Sequence, residues 1–497
     1  MSFYRASAWA ATIGLLAYGA ACLVLRAQFD LFDSDELQHA HLAWQVATGK
    51  VLYRDIWDNH GPLYTYLNAA LLRLTDAPAS IDLLFWCRGI GAATMAGLGG
   101  MTYLLGRRLG FQPLVALAAV AVTSLLLIVQ DKGAECRPDS LQNLFWLAGL
   151  VLVAGNSGRF ARLAAGLLWG MAVMANTKAA LGPALVCLFW LLAVRLHGRP
   201  LSSVASDVCL VAFGGLLAWL PFAAHFYRQG ALFALHDYSL LWNLLYVASP
   251  DQPPLAQLNI GFLLREQTGF VVLAVAGAAC WVADLTRSDG SLPKFAGWTV
   301  LAAAVGTGAT VAMDFYYQFF LIFLPLWSLA AAFALERLAA AAQARMRGLG
   351  ALLTAAVALA AVASLVTTSG RLTPRAERSE LAFQKSFTKM LLRTTPRSEP
   401  LGVIWDICGG FMFNEPVQFY WGAEAAIGVT AERHGGADPF GAPFIDALER
   451  GQVRFVVGRD DRALRDLPAA TAVYLREHYR YSYCLWTRKM PARAGGA

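Results

Sequence analysis

Long runs of apolar residues that contain almost no charge constrain this chain more than any other feature of its sequence. Examples are residues 92–105, 113–129 and 351–366. A helix that crosses a bilayer needs about 20 mostly apolar residues, because hydrocarbon offers no partners to polar groups. Only 15% of the 497 residues are charged, against about 25% in an average soluble protein. The sequence therefore predicts an α-helical polytopic membrane protein.

Apolar segments of this kind recur along the chain and predict about eleven transmembrane helices of roughly 20 residues each. Their predicted centres lie near Leu16, Met95, Val122, Ala148, Trp169, Leu188, Gly215, Ala274, Val305, Phe323 and Ala358. Arginine and lysine residues fall in alternate short connections, which the positive-inside rule places in the cytoplasm. The N-terminus is then cytoplasmic, and the residues after the last span are outside. The first apolar segment continues through Leu25 and further spans follow, so we expect an uncleaved anchor rather than a signal peptide.

The basic residues are spread over these connections and do not form one stripe. Nucleic-acid binding is therefore not expected, although the net charge is +7. The expected partner is membrane lipid. Compact loops without organelle signals favour the inner membrane of a bacterium.

The connections predicted to lie outside differ greatly in length, and three are long: 28–80, 226–265 and the tail from 370 onward. Binding and catalytic residues are often carried by long loops on a rigid scaffold. Residues 1–370 are predicted to form the membrane domain, with 28–80 as its first outer loop. Residues 371–497 are predicted to form a small α+β extracytoplasmic domain. Its cysteines, Cys408 and Cys484, are compatible with a disulfide or with two thiols.

The first outer loop begins with a segment that has the periodicity of a helix. Apolar residues recur on one face at Leu37, Ala40, Trp44 and Ala47, which indicates an amphipathic helix lying along the membrane surface. Asp33 and Glu36 have the spacing of a capping box. Asp35 and His39 are one turn apart on the same face. Capping accounts for one acid and Glu36 but not for Asp35 or the two histidines, so this segment is a candidate catalytic site.

A second polar segment of the same loop precedes the next apolar helix. It reads Asp58-Asn59-His60-Gly61-Pro62-Leu63. Asparagine, glycine and proline interrupt helices, so a turn at the membrane surface is predicted. On its own, this turn is equally consistent with a structural and with a chemical role.

Taken together, the pair Asp35-Glu36 and the pattern Asp58-x-His60-x-Pro62-Leu63 resemble the protein O-mannosyltransferase family and its bacterial relatives. These are multi-spanning glycosyltransferases of the GT-C class. Gly61 stands where the family usually has the first of two prolines. Residues 135–141 and 314–325 also resemble segments of bacterial members. The resemblance covers about residues 1–370 and implies transfer of a sugar from a polyprenyl-phosphate donor.

In the family the aspartate of the acidic pair is essential, which implies that role for Asp35, with Asp33 as the competing position. The same role follows from chemistry, since a carboxylate can accept the proton of an attacking hydroxyl. Glu36 would either place the acceptor or support Asp35. The departing phosphate needs positive charge, for which the candidates are Lys132, Arg137, Lys178, Arg228 and Arg265. Each of these could equally contact lipid headgroups.

Further candidates for substrate binding are Asp33, His39, Asp58, His60, Asp139, Tyr316 and Tyr317. Asp33, Asp35 and His39 also have the chemistry to ligate a divalent cation. The relatives that the chain resembles mostly work without a metal, so no metal or other cofactor is favoured.

Two other classes of function remain as alternatives. A transporter or lipid-carrier flippase would place ionisable groups within the spans and often contain two repeated halves. A scaffold would leave the acids of the first outer loop without a role. The acceptor hydroxyl is left open between protein, lipid A or core oligosaccharide, and a surface glycan.

Overall fold

Helices dominate the computed structural model of the chain. It describes residues 2–75, 82–155, 158–192, 200–241, 243, 265–287, 292–312, 321–344, 377–394, 401–404, 417–420, 446–457, 469–482 and 485–489. Within these residues, four helical stretches are long and apolar enough to cross a membrane: Ala6–Phe29, Leu201–Arg228, Thr268–Thr286 and Leu324–Ala341. Shorter apolar helices lie at Pro113–Leu125, Thr177–Leu192 and Ala296–Gly308. A mostly helical structure with four apolar helices of spanning length is thus confirmed for the described residues, and the total of about eleven spans stays a prediction.

The helices of the membrane region follow the apolar segments closely. They are α1 (Ser2–Phe29), α4 (Asp82–Arg108), α5 (Pro113–Leu125), α7 (Pro138–Ala154), α8 (Arg159–Ala175), α9 (Leu181–Leu192), α10 (Leu201–Arg228), α11 (Thr268–Arg287), α12 (Leu292–Ala312) and α13 (Leu324–Ala344). Nine predicted centres, from Leu16 to Val305, lie inside these helices. Phe323 directly precedes α13, and Ala358 lies outside the described residues.

Glycine residues bring two of these helices into backbone contact. A methyl group on Gly166 of α8 would collide with the carbonyl of Val211 on α10, and one on Gly214 of α10 would collide with the carbonyl of Leu163. Small residues spaced along a helix allow this approach in membrane proteins, where packing replaces the hydrophobic effect as the attraction between helices. The end of α8 is thereby fixed relative to α10.

Three further helices lie between these along the sequence. They are α2 (Ser34–Ala47), α3 (Pro62–Thr75) and α6 (Leu127–Lys132). The predicted helix of the first outer loop is therefore present as α2. Its face with Leu37 and Ala40 is buried in a core that also contains Tyr64 of α3 and Leu84 of α4.

The C-terminal part contains α14 (Glu377–Thr394), α15 (Ala469–His478) and five strands. The strands are β1 (Leu401–Ile404), β2 (Val417–Tyr420), β3 (Phe455–Val457), β4 (Tyr479–Ser482) and β5 (Leu485–Arg488). They form one sheet in the order β2-β1-β3-β5-β4, with β1 parallel to both neighbours and β5 antiparallel to β3 and β4. Cys408 and Cys484 lie outside the described residues, and the predicted domain boundary at 370 stays a prediction.

Helix α14 connects this C-terminal part to the first outer loop. The side chain of Gln384 donates to the carbonyl oxygen of Phe32 and accepts from its backbone N–H, both at 3.0 Å. Phe387 and Leu391 of α14 belong to the same core as Leu37. The residue just before the acidic segment is therefore held by a helix 352 positions later in the chain.

Candidate active site

The acidic start of α2 is the first part of the site. Asp33 is the N-cap of α2, and its carboxylate accepts from the backbone N–H of Asp35 at 3.1 Å. The side chain of Glu36 returns a bond by accepting from the backbone N–H of Asp33 at 3.1 Å. The predicted capping box is thus present. It satisfies N–H groups that the first turn of a helix otherwise leaves unpaired.

Glu36 is fully buried, with 0% of its surface exposed. Arg88 of α4 donates to its two carboxylate oxygens at 2.8 and 2.6 Å, and the backbone N–H of Cys136 donates at 2.9 Å. Arg88 also donates to the carbonyl oxygens of Ala27, Asp30 and Leu31. Glu36 therefore joins α2, α4 and the loop before α7.

Two cations, Lys132 at the end of α6 and Arg137 in the loop before α7, lie against the acids at the start of α2. Lys132 Nζ is 3.0 Å from Asp33 Oδ2 and 2.7 Å from Glu135 Oε1. Arg137 Nη2 is 2.5 Å from Asp35 Oδ2, and its Nη1 is 3.3 Å from Glu135 Oε2. We call these five residues the charge cluster. It combines two of the predicted phosphate-binding cations with both candidate bases.

Burial within the charge cluster is uneven. Only 7% of the Arg137 side chain is exposed, whereas Asp35 and Asp33 expose 26% and 32%. Burial alone would raise the pKa of Asp33, but the charges of Lys132 and Arg137 outweigh it and hold that pKa well below its ordinary value. Burial raises the pKa of Glu135 to about 8, although Lys132 and Arg137 oppose the rise. When Glu135 is neutral, the positive charges of Lys132 and Arg137 are opposed within the cluster by Asp33 and Asp35 alone.

Asp35 differs from Asp33 in the use of its oxygens. Asp33 spends one oxygen on the helix cap and the other on Lys132. Asp35 receives one hydrogen bond, from Arg137 to Oδ2, and its Oδ1 accepts none from the described residues. A partly exposed carboxylate oxygen without a donor can accept a proton or a hydrogen bond from a ligand.

The loop that carries Glu135 and Arg137 lies directly on α4. A methyl group on Gly91 would come within 2.8 Å of the carbonyl oxygen of Ala134 and 2.9 Å of that of Glu135. On the other side, the hydroxyl of Ser140 donates to the carbonyl of Gly133 at 2.9 Å. The absence of a side chain at Gly91 thus lets the loop approach α4.

The predicted polar turn lies beside His39. His60 Nδ1 is 3.0 Å from Asp58 Oδ1, and the rings of His39 and His60 meet edge to face at 4.7 Å between centroids. The hydroxyl of Tyr53 donates to the carbonyl of His60 at 2.6 Å. The structure therefore groups His39 with Asp58 and His60. The sequence had paired it with Asp33 and Asp35 as candidate cation ligands.

Gly61 has a steric reason for standing where the family usually has proline. A Cβ atom at this position would overlap the carbonyl oxygen of Met174, in the last turn of α8. Alanine and proline both carry that atom. The turn before α3 can therefore contact α8 only through a residue without a side chain.

Of the other predicted site residues, Asp139 contacts the charge cluster. Asp139 Oδ2 is 3.5 Å from Arg137 Nε, and Asn176 Nδ2 is 3.4 Å from Asp139 Oδ1. Lys178 follows in the short helix Thr177–Ala180, where its backbone N–H donates to Asn176. Arg228 is exposed at the end of α10, and Arg265 pairs with Glu266 at 2.8 Å. Tyr316 and Tyr317 lie outside the described residues.

Sequence reasoning missed three residues that build the site: Arg88, Glu135 and Asn176. Arg88 has a visible signal, since an arginine inside an otherwise apolar segment is costly unless it has a partner. Glu135 is the first residue of the segment 135–141, but it was not predicted to be a site residue. Asn176 has no signal, because its contact with Asp139 depends on how α7 and α8 pack.

Solved structures with a similar fold include ArnT and an oligosaccharyltransferase, each also solved with a polyprenyl phosphate. ArnT from Cupriavidus metallidurans bound to undecaprenyl phosphate matches with a TM-score of 0.66 and 14% identity, over 100% of both chains. The apo oligosaccharyltransferase of Archaeoglobus fulgidus matches with a TM-score of 0.61 and 14% identity, over 94% of this chain and 72% of that one. Its complex with an inhibitory peptide and a dolichol-phosphate gives 0.58 and 13%, over 90% and 69%.

These neighbours are GT-C glycosyltransferases. At such identities the likeness concerns the fold alone, and it confirms the GT-C resemblance inferred from the sequence. No protein-family model matches the sequence, and no curated protein matches it.

Proposed function

We propose that this chain is a membrane glycosyltransferase that moves a sugar from a polyprenyl-phosphate donor to an extracytoplasmic hydroxyl. The observation that carries the proposal is the state of Asp35. One of its oxygens is bound by the buried Arg137, while the other accepts no hydrogen bond from the described residues, and the side chain is 26% exposed. An oriented carboxylate with one free oxygen, beside two cations, has the parts that such a transfer needs.

The reaction is a displacement at the anomeric carbon. The acceptor oxygen forms the new bond to that carbon, and its proton passes to Asp35 Oδ1. The bond from the anomeric carbon to the phosphate oxygen breaks, and the polyprenyl phosphate leaves with the electron pair. Attack opposite the leaving group inverts the configuration. Arg137 and Lys132 stabilise the charge that develops on the phosphate.

Asp33 and Glu36 support this step without taking the proton. The depressed pKa of Asp33, set by Lys132 and Arg137 against its burial, makes it a weak base. Glu36 is fully buried and bound by Arg88, so it cannot reach an acceptor. Its role is to hold the first turn of α2, and with it Asp35, against α4 and the loop before α7.

The fold neighbours support a lipid-linked donor. One was solved with undecaprenyl phosphate and another with a dolichol-phosphate. We place the protein in a bacterial inner membrane, with a cytoplasmic N-terminus and with residues 371–497 as an extracytoplasmic domain. The acceptor class stays open between lipid A or core oligosaccharide, a surface glycan and protein hydroxyls.

The test is transfer of labelled sugar from a panel of polyprenyl-phosphate donors, with acceptor extracts from the native host. Asp35→Asn is expected to lower the rate by about 10²–10⁴-fold, the usual contribution of a general base, while donor binding changes only a few-fold. Asp33→Asn is the matched control, and it should keep most of the activity.

Loss of transfer in Asp33→Asn but not in Asp35→Asn would move the base to Asp33. If the folded wild type consumes no donor but moves the intact lipid carrier between leaflets, the transferase proposal fails and the flippase alternative replaces it.

A further inference from the structure

We propose that His39, Asp58 and His60 form a binding site for a divalent transition-metal cation such as Zn²⁺. The site is separate from the charge cluster and uses none of its residues. It joins α2, which carries His39, to the turn before α3, which carries Asp58 and His60. The inference concerns metal binding and does not depend on the proposed transfer reaction.

The three side chains are already close to the spacing that a metal requires. One ligand atom from each lies within 4.8 Å of the others, and Asp58 Oδ1 is 3.0 Å from His60 Nδ1. Ligands at about 2.0–2.1 Å around a tetrahedral zinc are roughly 3.3 Å apart. Small rotations of the His39 and His60 side chains, which move their ring nitrogens by about one ångström or less, would therefore bring the three ligand atoms to the spacing of a tetrahedral site.

His39 supplies an independent observation that points to a ligand. Only 2% of its surface is exposed, yet its Nδ1 atom is buried without a hydrogen-bond partner. Buried polar atoms are nearly always bonded, and one that is not needs an explanation. Metal coordination satisfies a lone ring nitrogen of this kind.

The charge of Asp58 points in the same direction. Its surface is 0% exposed, and the groups that donate to it are the backbone N–H and ring of His60 and, at 3.4 Å, the hydroxyl of Thr65. Among the described residues, no lysine or arginine nitrogen pairs with it. A buried carboxylate is costly without a positive partner, and a bound dication would supply one.

The ligand types suit such a cation. Two imidazoles with one carboxylate favour zinc and its neighbours in the first transition row over magnesium or calcium. Three protein ligands leave one position for water or for an anionic oxygen.

The supports around the site restrict its motion. Tyr53 is bonded to the carbonyl of His60, and the missing side chain of Gly61 lets the turn rest on α8. A tyrosine ring, that of Tyr64, packs edge to face on His39 at 5.6 Å. Residues that contact the metal ligands without binding the metal themselves keep those ligands in the right orientation.

The test measures metal binding by the purified full-length protein, without donor or acceptor. After chelation and removal of the chelator, Zn²⁺ is titrated against a competing fluorescent indicator, and Co²⁺ is added to record visible absorption. The variants are His39→Gln and His60→Gln. His41→Gln is the matched control, since His41 is also buried on α2 but pairs with Gln45 at 3.4 Å.

The proposal expects one high-affinity Zn²⁺ per chain in the wild type and in His41→Gln. Loss of a residue that binds the metal directly should weaken Zn²⁺ affinity by more than 10–100-fold, the usual effect of losing a residue that only hydrogen-bonds to a metal ligand. The strong visible absorption of four-coordinate Co²⁺ should appear in the wild type and be absent in His39→Gln and His60→Gln.

Equal Zn²⁺ affinity in the wild type and both ligand variants would overturn the proposal, because the metal would then be bound elsewhere. Absence of stoichiometric Zn²⁺ in a folded wild type would do the same. If His39→Gln fails to fold, His60→Gln decides, since His60 is the less buried of the two. Loss of transferase activity alone changes neither outcome.

Discussion

The substitution Glu36→Gln separates a positioning role for the second acid from a role in contact with substrate. Glu36 accepts four hydrogen bonds: Oε1 from Arg88 at 2.8 Å and Cys136 at 2.9 Å, and Oε2 from Arg88 at 2.6 Å and Asp33 at 3.1 Å. Glutamine replaces one acceptor by an NH₂ group that faces two donors. It also leaves the Arg88 charge buried without its counter-ion.

The expected loss of stability can be worked out from these contacts. Two hydrogen bonds to a charged group disappear, at about 1.5–3 kcal/mol each. Breaking a buried ion pair by removing one partner costs about 3–5 kcal/mol. These two figures describe the same contacts and are not added, so Glu36→Gln is expected to destabilise the protein by about 3–5 kcal/mol. Transfer should fall because the start of α2 is no longer held.

Unfolding of the purified protein in mixed detergent micelles measures this effect, with Asp35→Asn as the control. Asp35 is partly exposed and shares Arg137 with Glu135, so its loss should cost about 1 kcal/mol or less while abolishing most transfer. A Glu36→Gln protein with wild-type stability and no transfer would refute the reasoning, because Glu36 would then act on substrate directly.

Three further predictions concern the turn and the charge cluster. Gly61→Ala is expected to lower stability by about 1–3 kcal/mol, the usual cost of overpacking, because Cβ would overlap the carbonyl of Met174; a thermal melt that matches the wild type would contradict this. Because burial raises the pKa of Glu135 to about 8, donor affinity is expected to fall above about pH 8 as this carboxylate ionises. In a titration of donor binding against pH, Glu135→Gln should show no such fall. Because the folded pKa lies above the ordinary 4.5, the Glu135 contribution also lowers stability as pH rises from about 4.5 to 8, and then levels off.

The charged groups that set this titration come from several elements. Burial is the main cause of the raised pKa, Lys132 and Arg137 oppose it, and Glu36 and Asp33 add to it. Arg88 of α4 also interacts with Glu135. Since the phosphate of a polyprenyl-phosphate sugar keeps its charge across this pH range, a change in donor affinity reports on the protein.

The membrane helices and the start of the site could be predicted from sequence because both are local patterns. Nine predicted span centres lie inside helices, and the spacing of Asp33 and Glu36 located the helix cap. The acids of the first outer loop and the cations near Lys132 were also selected from sequence. That they touch could not be predicted, because Arg137 and Asp35 are 102 positions apart.

Some candidate residues have other contacts in the structure than the sequence predicted, and the reason is again that distant parts of the chain meet. Glu36 was paired with Asp35 as an acid of the site, whereas its partner Arg88 is on another helix 52 positions away. Arg228 and Arg265 have the charge that a phosphate needs, but Arg228 is exposed at the end of α10 and Arg265 pairs with Glu266. Residue type and side of the membrane do not determine which loops meet.

The bond pair between Gln384 and Phe32 has a consequence for the order in which the protein matures. Phe32 leaves the ribosome early, whereas Gln384 follows 352 residues later. During that interval the backbone of Phe32 has water or other partners in place of its final one. The segment that leads into Asp33 and Asp35 therefore reaches its final position only after most of the membrane helices have been inserted. A truncated nascent chain that lacks α14 should bind the membrane but still lack a finished first loop.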